Sequence, residues 1–155
     1  MAGDTKVRDI KVVALDIYGT VLASDDHDNA CPPRKGLEAF FNMCDERGIK
    51  IASASDATIE IVKAELQECK VDINRFDSFH QLNQLPVKHF DIIIGHYDIL
   101  PSNLLVIGDS YKDAGGATRI GALYLRVPEY TVKSDDNFDF SRINLDTGSY
   151  INIES

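Results

Sequence analysis

Three short apolar runs in this chain each stop at a carboxylate or a hydroxyl, and amphipathic stretches fill the gaps between them. Ile10–Leu15 (IKVVAL) ends at Asp16, Ile49–Ala54 ends at Ser55-Asp56, and Leu104–Gly108 ends at Asp109. Continuous apolar runs of this length are what a parallel sheet buries on both faces. Two weaker runs, Asp77–Gln81 and Ala122–Val127, complete five predicted strands. Between them, helical spacing of apolar residues predicts helices over Arg34–Arg47, Ala57–Cys69, His89–Leu100 and Lys112–Ile120. Pro33 is placed to start the first helix and Asp56 to cap the second. Strands alternating with helices predict a doubly wound, Rossmann-like α/β domain, a three-layer sandwich around a five-stranded parallel sheet. Glu129–Ser155 is polar with scattered apolar residues and has no clear placement.

Size and charge narrow the rest. A chain of 155 residues buries ~69% of its unfolded surface, enough for one core, so residues 1–155 are expected to form a single domain with its core over about 10–127. With 44% hydrophobic residues, 10 Gly and 5 Pro, a disordered or fibrous chain is excluded. The net charge of −9 argues against general nucleic-acid binding and against an anionic membrane surface. No apolar run approaches the ~18 residues of a membrane span, and Met1–Asp9 lacks the apolar stretch of a secretory leader. Cys31, Cys44 and Cys69 are odd in number and widely spaced, with no C-x-x-C pair. They read as packed or idle thiols in a reducing, cytoplasmic setting.

In open α/β sheets ligands bind beyond the carboxyl ends of the strands, near the point where strand order reverses. That rule selects Asp16, Ser55 and Asp109. Asp16 suits a nucleophile or a metal ligand, or simply opens a turn. Gly19 permits a sharp turn after it, and Thr20 adds a hydroxyl. Asp113 falls in the first turn of the fourth helix, where the dipole favours a carboxylate. Three carboxylates at one sheet edge repel one another, and a hard dication with oxygen ligands, such as Mg²⁺, relieves this. Lys88, at the mouth of the third helix, is either a solvated surface charge or a neutralising cation for that edge.

In their order these residues resemble the haloacid dehalogenase superfamily over about Ile10–Val127. The resemblance rests on Val12-Val13-Ala14-Leu15-Asp16-Ile17-Tyr18-Gly19-Thr20, on Ser55 after the second strand (Ser53 is the register alternative), on Lys88, and on Gly108-Asp109-Ser110-Tyr111-Lys112-Asp113. It implies that Asp16 attacks a phosphoryl group and forms an aspartyl-phosphate. It further implies that Asp16, the Tyr18 carbonyl, Asp109 and Asp113 hold Mg²⁺. Ser55, Lys88, Thr20 and Asp56 form the implied substrate-binding set, with Lys88 neutralising charge at Asp16. One position departs from the family's phosphatases: Tyr18 stands where they carry an acid–base Asp. Tyr there resembles the metal-free 2-haloacid dehalogenases, whereas Gly108-Asp109 resembles the phosphatases. His27, in an acidic loop with Asp25, Asp26 and Asp28, is a conceivable substitute acid.

Gaps of 38 residues between Asp16 and Ser55 and 32 between Ser55 and Lys88 leave no room for a cap domain. This resembles the cap-less magnesium-dependent phosphatases and implies an open site for a phosphorylated small molecule or macromolecule, with oligomerisation possible. A slow Mg²⁺-dependent phosphohydrolase is the leading reading. A non-catalytic phosphate-binding scaffold and a metal-free dehalogenase are the alternatives. A receiver domain would need a phospho-acceptor on the third strand, where only Asp77 is on offer. A dinucleotide enzyme lacks its G-x-G-x-x-G.

Overall fold

The computed structural model describes residues 7–151. The first six residues, part of the segment read above as no leader, and the last four of the C-terminal stretch lie outside them. β1 (Val12–Leu15), β2 (Lys50–Ser55), β3 (Ser78–Gln81), β4 (Leu104–Gly108) and β5 (Leu123–Arg126) form one parallel sheet in the order β3-β2-β1-β4-β5. α1 (Leu37–Glu46), α2 (Ile59–Glu68), α3 (Asp91–Tyr97) and α4 (Tyr111–Ile120) connect them. The predicted doubly wound α/β architecture is therefore present, with each of the five strands within two residues of its expected bounds. The residues from Asp16 to Ser55 and from Ser55 to Lys88 hold one α-helix each and no cap domain. None of the described helices is long and apolar enough to cross a membrane.

The chain runs outward through β1, β2 and β3, then returns to lay β4 on the other side of β1. The order therefore reverses at β1, which is where such sheets bind ligands. β1 is buried along its length, with Val13, Leu15, Leu105 and Ile107 facing one apolar layer and Val12, Ala14, Leu104 and Val106 the other. Pairing continues past the strand, since the Asp16 N–H donates to the Ile107 carbonyl at 3.0 Å. That bond holds Asp16 beside the end of β4.

Helix starts differ from expectation, each for a local reason. α1 begins at Leu37 behind Gly36 (φ +81°), not at Pro33, because Arg34 and Lys35 are drawn into backbone bonds with Val21 and Phe140. α2 begins at Ile59 with Thr58 at its N-cap, not Asp56. Ser55 Oγ accepts the Ala57 N–H at 3.1 Å, so residues 55–57 belong to a turn. α3 is only seven residues long, ending at Asp98 (φ +53°) ahead of Pro101, which disfavours helix at the residue before it.

The largest correction concerns Glu129–Ser155. Its described part is largely exposed or half-buried, yet it sends Phe138, Phe140, Ile143 and Leu145 into the core. Phe138 and Phe140 are buried, Phe140 packing 5.4 Å from Phe40 of α1, and Phe138 stacking on Tyr150 at 4.6 Å. A short antiparallel pair, β6 (Ile143–Asn144) and β7 (Ser149–Tyr150), closes the segment. Because Phe140 is wholly enclosed, Phe140→Ala should cost about 3–5 kcal/mol of stability in urea denaturation. A loss under about 1 kcal/mol, within the range of surface substitutions, would mean the segment does not share the core.

Candidate active site

Three carboxylates meet at the carboxyl end of β1 and β4. Asp16, Asp109 and Asp113 each offer an oxygen, all within 4.8 Å of one another. Asp16 and Asp113 are buried and Asp109 is half-exposed. The backbone makes room for them. A Cβ on Gly19 (φ +82°) would lie 2.5 Å from Asp109 Oδ2, and one on Gly108 would collide with the Asp113 carboxylate. Glycine is needed at both positions for that close approach.

Lys88 is the cation of the site. Its Nζ is 3.0 Å from Asp16 Oδ1, 2.7 Å from Asp113 Oδ1 and 2.7 Å from the Ala54 carbonyl, so all three N–H donors are used. Burial by itself would depress the ammonium, but Asp16 and Asp113 outweigh it and raise its pKa. The opposite holds for the acids. Burial, opposed by Lys88, pushes Asp16 up to about 7, and neighbouring Asp109 adds to the rise. Burial and the charge of Asp16 raise Asp113 too. One ammonium therefore does not neutralise the cluster. Thr20 Oγ1 lies 3.2 Å from Asp16 Oδ2 and 3.3 Å from Asp109 Oδ1, bridging the acids that Lys88 leaves apart. Asp113 Oδ2 accepts from Ser110 Oγ at 3.0 Å, which ties the start of α4 to the site.

The other expected residues lie around this centre. Ser55 is buried at the end of β2, whereas Ser53 pairs in register with Leu15 one step inside the sheet. Asp56 is exposed and sits 3.8 Å from Lys112 Nζ. Tyr18 turns its hydroxyl to Glu65 of α2, to which it donates a hydrogen bond. Burial and that carboxylate push the phenol far above its ordinary value. Tyr18 and Glu65 line a cleft of about 370 Å³ together with Leu22, Asp26, His27 and Ile61. His27 is thus near Tyr18, though exposed. A larger cavity, 680 Å³, lies between the end of β5 and the C-terminal segment and includes none of the three carboxylates. It is therefore not where the chemistry of the cluster is found.

Sequence reasoning missed two partners, Glu65 and Arg34. Glu65 lies 47 residues from Tyr18, on a helix face that reads as solvated. Arg34 is fully buried beneath the Gly19-Thr20 turn and pairs with Asp136, 102 residues away. No local signal marks either contact. Cys44 and Cys69 are buried and Cys31 partly so, all as free thiols, with burial pushing Cys44 up to about 12.

No protein-family model and no curated protein matches the sequence. Solved structures do match in shape. A predicted phosphoglycolate phosphatase from Haemophilus somnus 129PT is similar at TM-score 0.65 and 14% identity, over 87% of this chain and 96% of that one. CbbY from Rhodobacter sphaeroides, in complex with phosphate, is similar at TM-score 0.67 and 12% identity, over 86% and 96%. L-2-haloacid dehalogenase from Xanthobacter autotrophicus, with chloropropionic acid covalently bound, is similar at TM-score 0.61 and 12% identity, over 76% and 77%. The chain has the fold of the haloacid dehalogenase superfamily.

The raised acid gives a pH signature. Asp16 binds its proton more tightly folded (to about 7) than at its ordinary 3.8, so between those values the folded chain carries more protons than the unfolded one. Stability of the metal-free protein should therefore fall as pH rises from about 4 to about 7. Lys88, raised above its ordinary value, keeps its contribution throughout that window. Melting temperatures in EDTA should show wild type losing ground to Asp16→Asn across the window, and Mg²⁺ should remove the loss by favouring the ionised form. A wild type that gains on the variant as pH rises would contradict the charge balance described here.

Proposed function

We propose that the protein is a Mg²⁺-dependent phosphohydrolase that works through an aspartyl-phosphate on Asp16. The observation that carries this reading is the pairing of Asp16 and Lys88 with two further carboxylates at the point where strand order reverses. The fold shared with phosphatases agrees with it.

The donor set fits a hard dication. Asp16, Asp109 and Asp113 are oxygen ligands carrying more negative charge than Lys88 offsets, and the Tyr18 carbonyl is the fourth proposed ligand. When bound, Mg²⁺ would draw off charge from the transferring phosphoryl group. The chain's own residues do the rest. Lys88 holds Asp16 Oδ1 and fixes the carboxylate's orientation, leaving Oδ2 on the side of Thr20 and Asp109. An Asp16 oxygen attacks phosphorus as the bond to the leaving oxygen breaks. Water then attacks the same phosphorus, releasing inorganic phosphate and restoring the carboxylate. Ser55 and Thr20 supply hydroxyls to the phosphoryl oxygens, and Lys88 offsets the charge that accumulates. Asp56 and Lys112 form an exposed charged pair, which this reading assigns to the remainder of a phosphorylated small molecule or macromolecule.

Tyr18 sets the rate. Its proton is committed to Glu65, and a phenol raised well above its ordinary value is a poor base at pH 7. Attack by water therefore lacks a base, and the aspartyl-phosphate should form faster than it is hydrolysed. A metal-free dehalogenase draws support from Tyr18 and from the dehalogenase likeness, but it leaves three carboxylates with Lys88 as their one close cation among the described residues.

Turnover of an aryl phosphate with Mg²⁺ tests the reading directly. Asp16→Asn, nearly isosteric, should abolish turnover and retain the fold, and beryllium fluoride should bind wild type but not the variant. Activity retained in Asp16→Asn would exclude covalent catalysis at this residue. Tyr18→Asp restores a carboxylate and should raise steady-state hydrolysis by ~10–10³-fold, within the range for positioned acid–base groups. A folded, Mg²⁺-binding Tyr18→Asp no faster than wild type would show that Tyr18 does not limit the rate and would favour a phosphate-binding scaffold.

A further inference from the structure

Arg34 is the bulkiest fully buried side chain among the described residues. Its guanidinium faces two ways. Toward the C-terminal segment, Nη2 donates to Asp136 Oδ1 at 2.6 Å and Nε lies 3.1 Å from Oδ2. Toward the turn that follows Asp16, Nη1 reaches the Gly19 carbonyl at 3.5 Å and the Thr20 carbonyl at 3.4 Å. The rings of Phe138 and Tyr130 cover it at 4.7 and 5.4 Å. A second tie runs parallel to the first: the Tyr130 N–H donates to the Gly19 carbonyl at 2.7 Å.

We infer that Arg34, gripped by Asp136, is a positioning residue for the turn Ile17–Leu22, and that the segment bearing Tyr130 and Asp136 is a working part of the site. In a trans peptide the C=O and the following N–H point in opposite directions. Drawing the Gly19 and Thr20 carbonyls onto Arg34 therefore aims the Thr20 and Val21 N–H groups the other way, onto the Ile17 carbonyl, which they meet at 3.2 and 2.8 Å. That fixed turn sets Thr20 Oγ1 between Asp16 and Asp109. Only a planar guanidinium has the fork to hold a carboxylate on one edge and two carbonyls on another; an ammonium does not. Arg34 touches none of the three carboxylates of the site and acts through the turn alone.

This inference rests on reading Asp16–Thr20 as catalytic, so its test has a readout independent of activity. Hydrogen exchange is followed at the Thr20, Val21 and Leu22 amides in the full chain. Arg34→Lys and Asp136→Asn should accelerate exchange at these amides by about tenfold or more, with the β1 and β4 amides close to wild type. Arg75→Gln is the control, because Arg75 makes a comparable charged cluster with Glu38 and Asp45 on the exposed side of α1. It should leave the turn unchanged. In the same two variants the Mg²⁺ dissociation constant should rise about tenfold and kcat should fall, while KM for an aryl phosphate stays near wild type. If Arg34→Lys does not fold, Asp136→Asn still decides, since its amide keeps the shape and an acceptor. Unchanged exchange at the turn in a folded variant overturns the inference. So does faster exchange with wild-type Mg²⁺ affinity and turnover. If wild type itself neither binds Mg²⁺ nor hydrolyses phosphate, the functional reading fails, and accelerated exchange would still establish the grip of Arg34 on the turn.

Discussion

One ammonium shared between two buried carboxylates is the interaction on which this site depends. Lys88 is buried with Asp16 and Asp113, and its three donors are all spent on them and on the end of β2. Losing it would leave two buried acids with no cation, a situation costing about 3–5 kcal/mol where a single partner is removed. The same contacts join three elements that sequence leaves separate. β1 contributes Asp16, β2 the Ala54 carbonyl, and the start of α4 Asp113. Lys88 thus gathers the sheet edge at the reversal point, and a purely apolar side chain there could not satisfy any of those acceptors.

A second buried cation does the same work on the opposite side of the Asp16 turn. Arg34 satisfies two carbonyls of that turn and is neutralised by Asp136 from the far end of the chain. The two cations differ in kind because their tasks differ. Lys88 presents a compact charge to three acceptors arranged around a point. Arg34 needs a flat fork, since its acceptors lie along two edges and aromatic rings cover it. Between them, the turn has little freedom, which suits a carboxylate that must stay aimed at one place.

The sheet was legible because three of its five strands are apolar runs closed by a polar residue, and the reversal rule then pointed to Asp16, Ser55 and Asp109. Helix starts were less legible. Pro33 and Asp56 carry good local signals, but Arg34 and Lys35 are held out of the helix by tertiary bonds, and Ser55 diverts the backbone into a turn before α2. Lys88 became visible through the family's motif order, since nothing around it differs from a surface lysine. Tyr18–Glu65 and Arg34–Asp136 were invisible for a physical reason. Each joins residues far apart in sequence, and neither partner sits in a periodic pattern. The C-terminal segment had no clear placement because Phe138, Phe140, Ile143 and Leu145 are buried one at a time from short elements and loops, without a helix or strand period to expose them.

Tyr18 shows how one substitution can be absorbed without dismantling a site. An aspartate at this position would be too short to reach Glu65 as the phenol does. The phenol donates to Glu65 and fills part of the wall of the cleft beside it. On the proposed mechanism the cost falls on proton transfer. Asp16, Lys88, Asp109 and Asp113 keep their geometry, because none of them contacts the Tyr18 side chain among the described hydrogen bonds and ion pairs. On that mechanism, binding of an anion at the sheet edge and rapid hydrolysis are separable properties. The first depends on buried charge that the fold carries at a cost in stability, and the second on a single side chain that folding tolerates in another form.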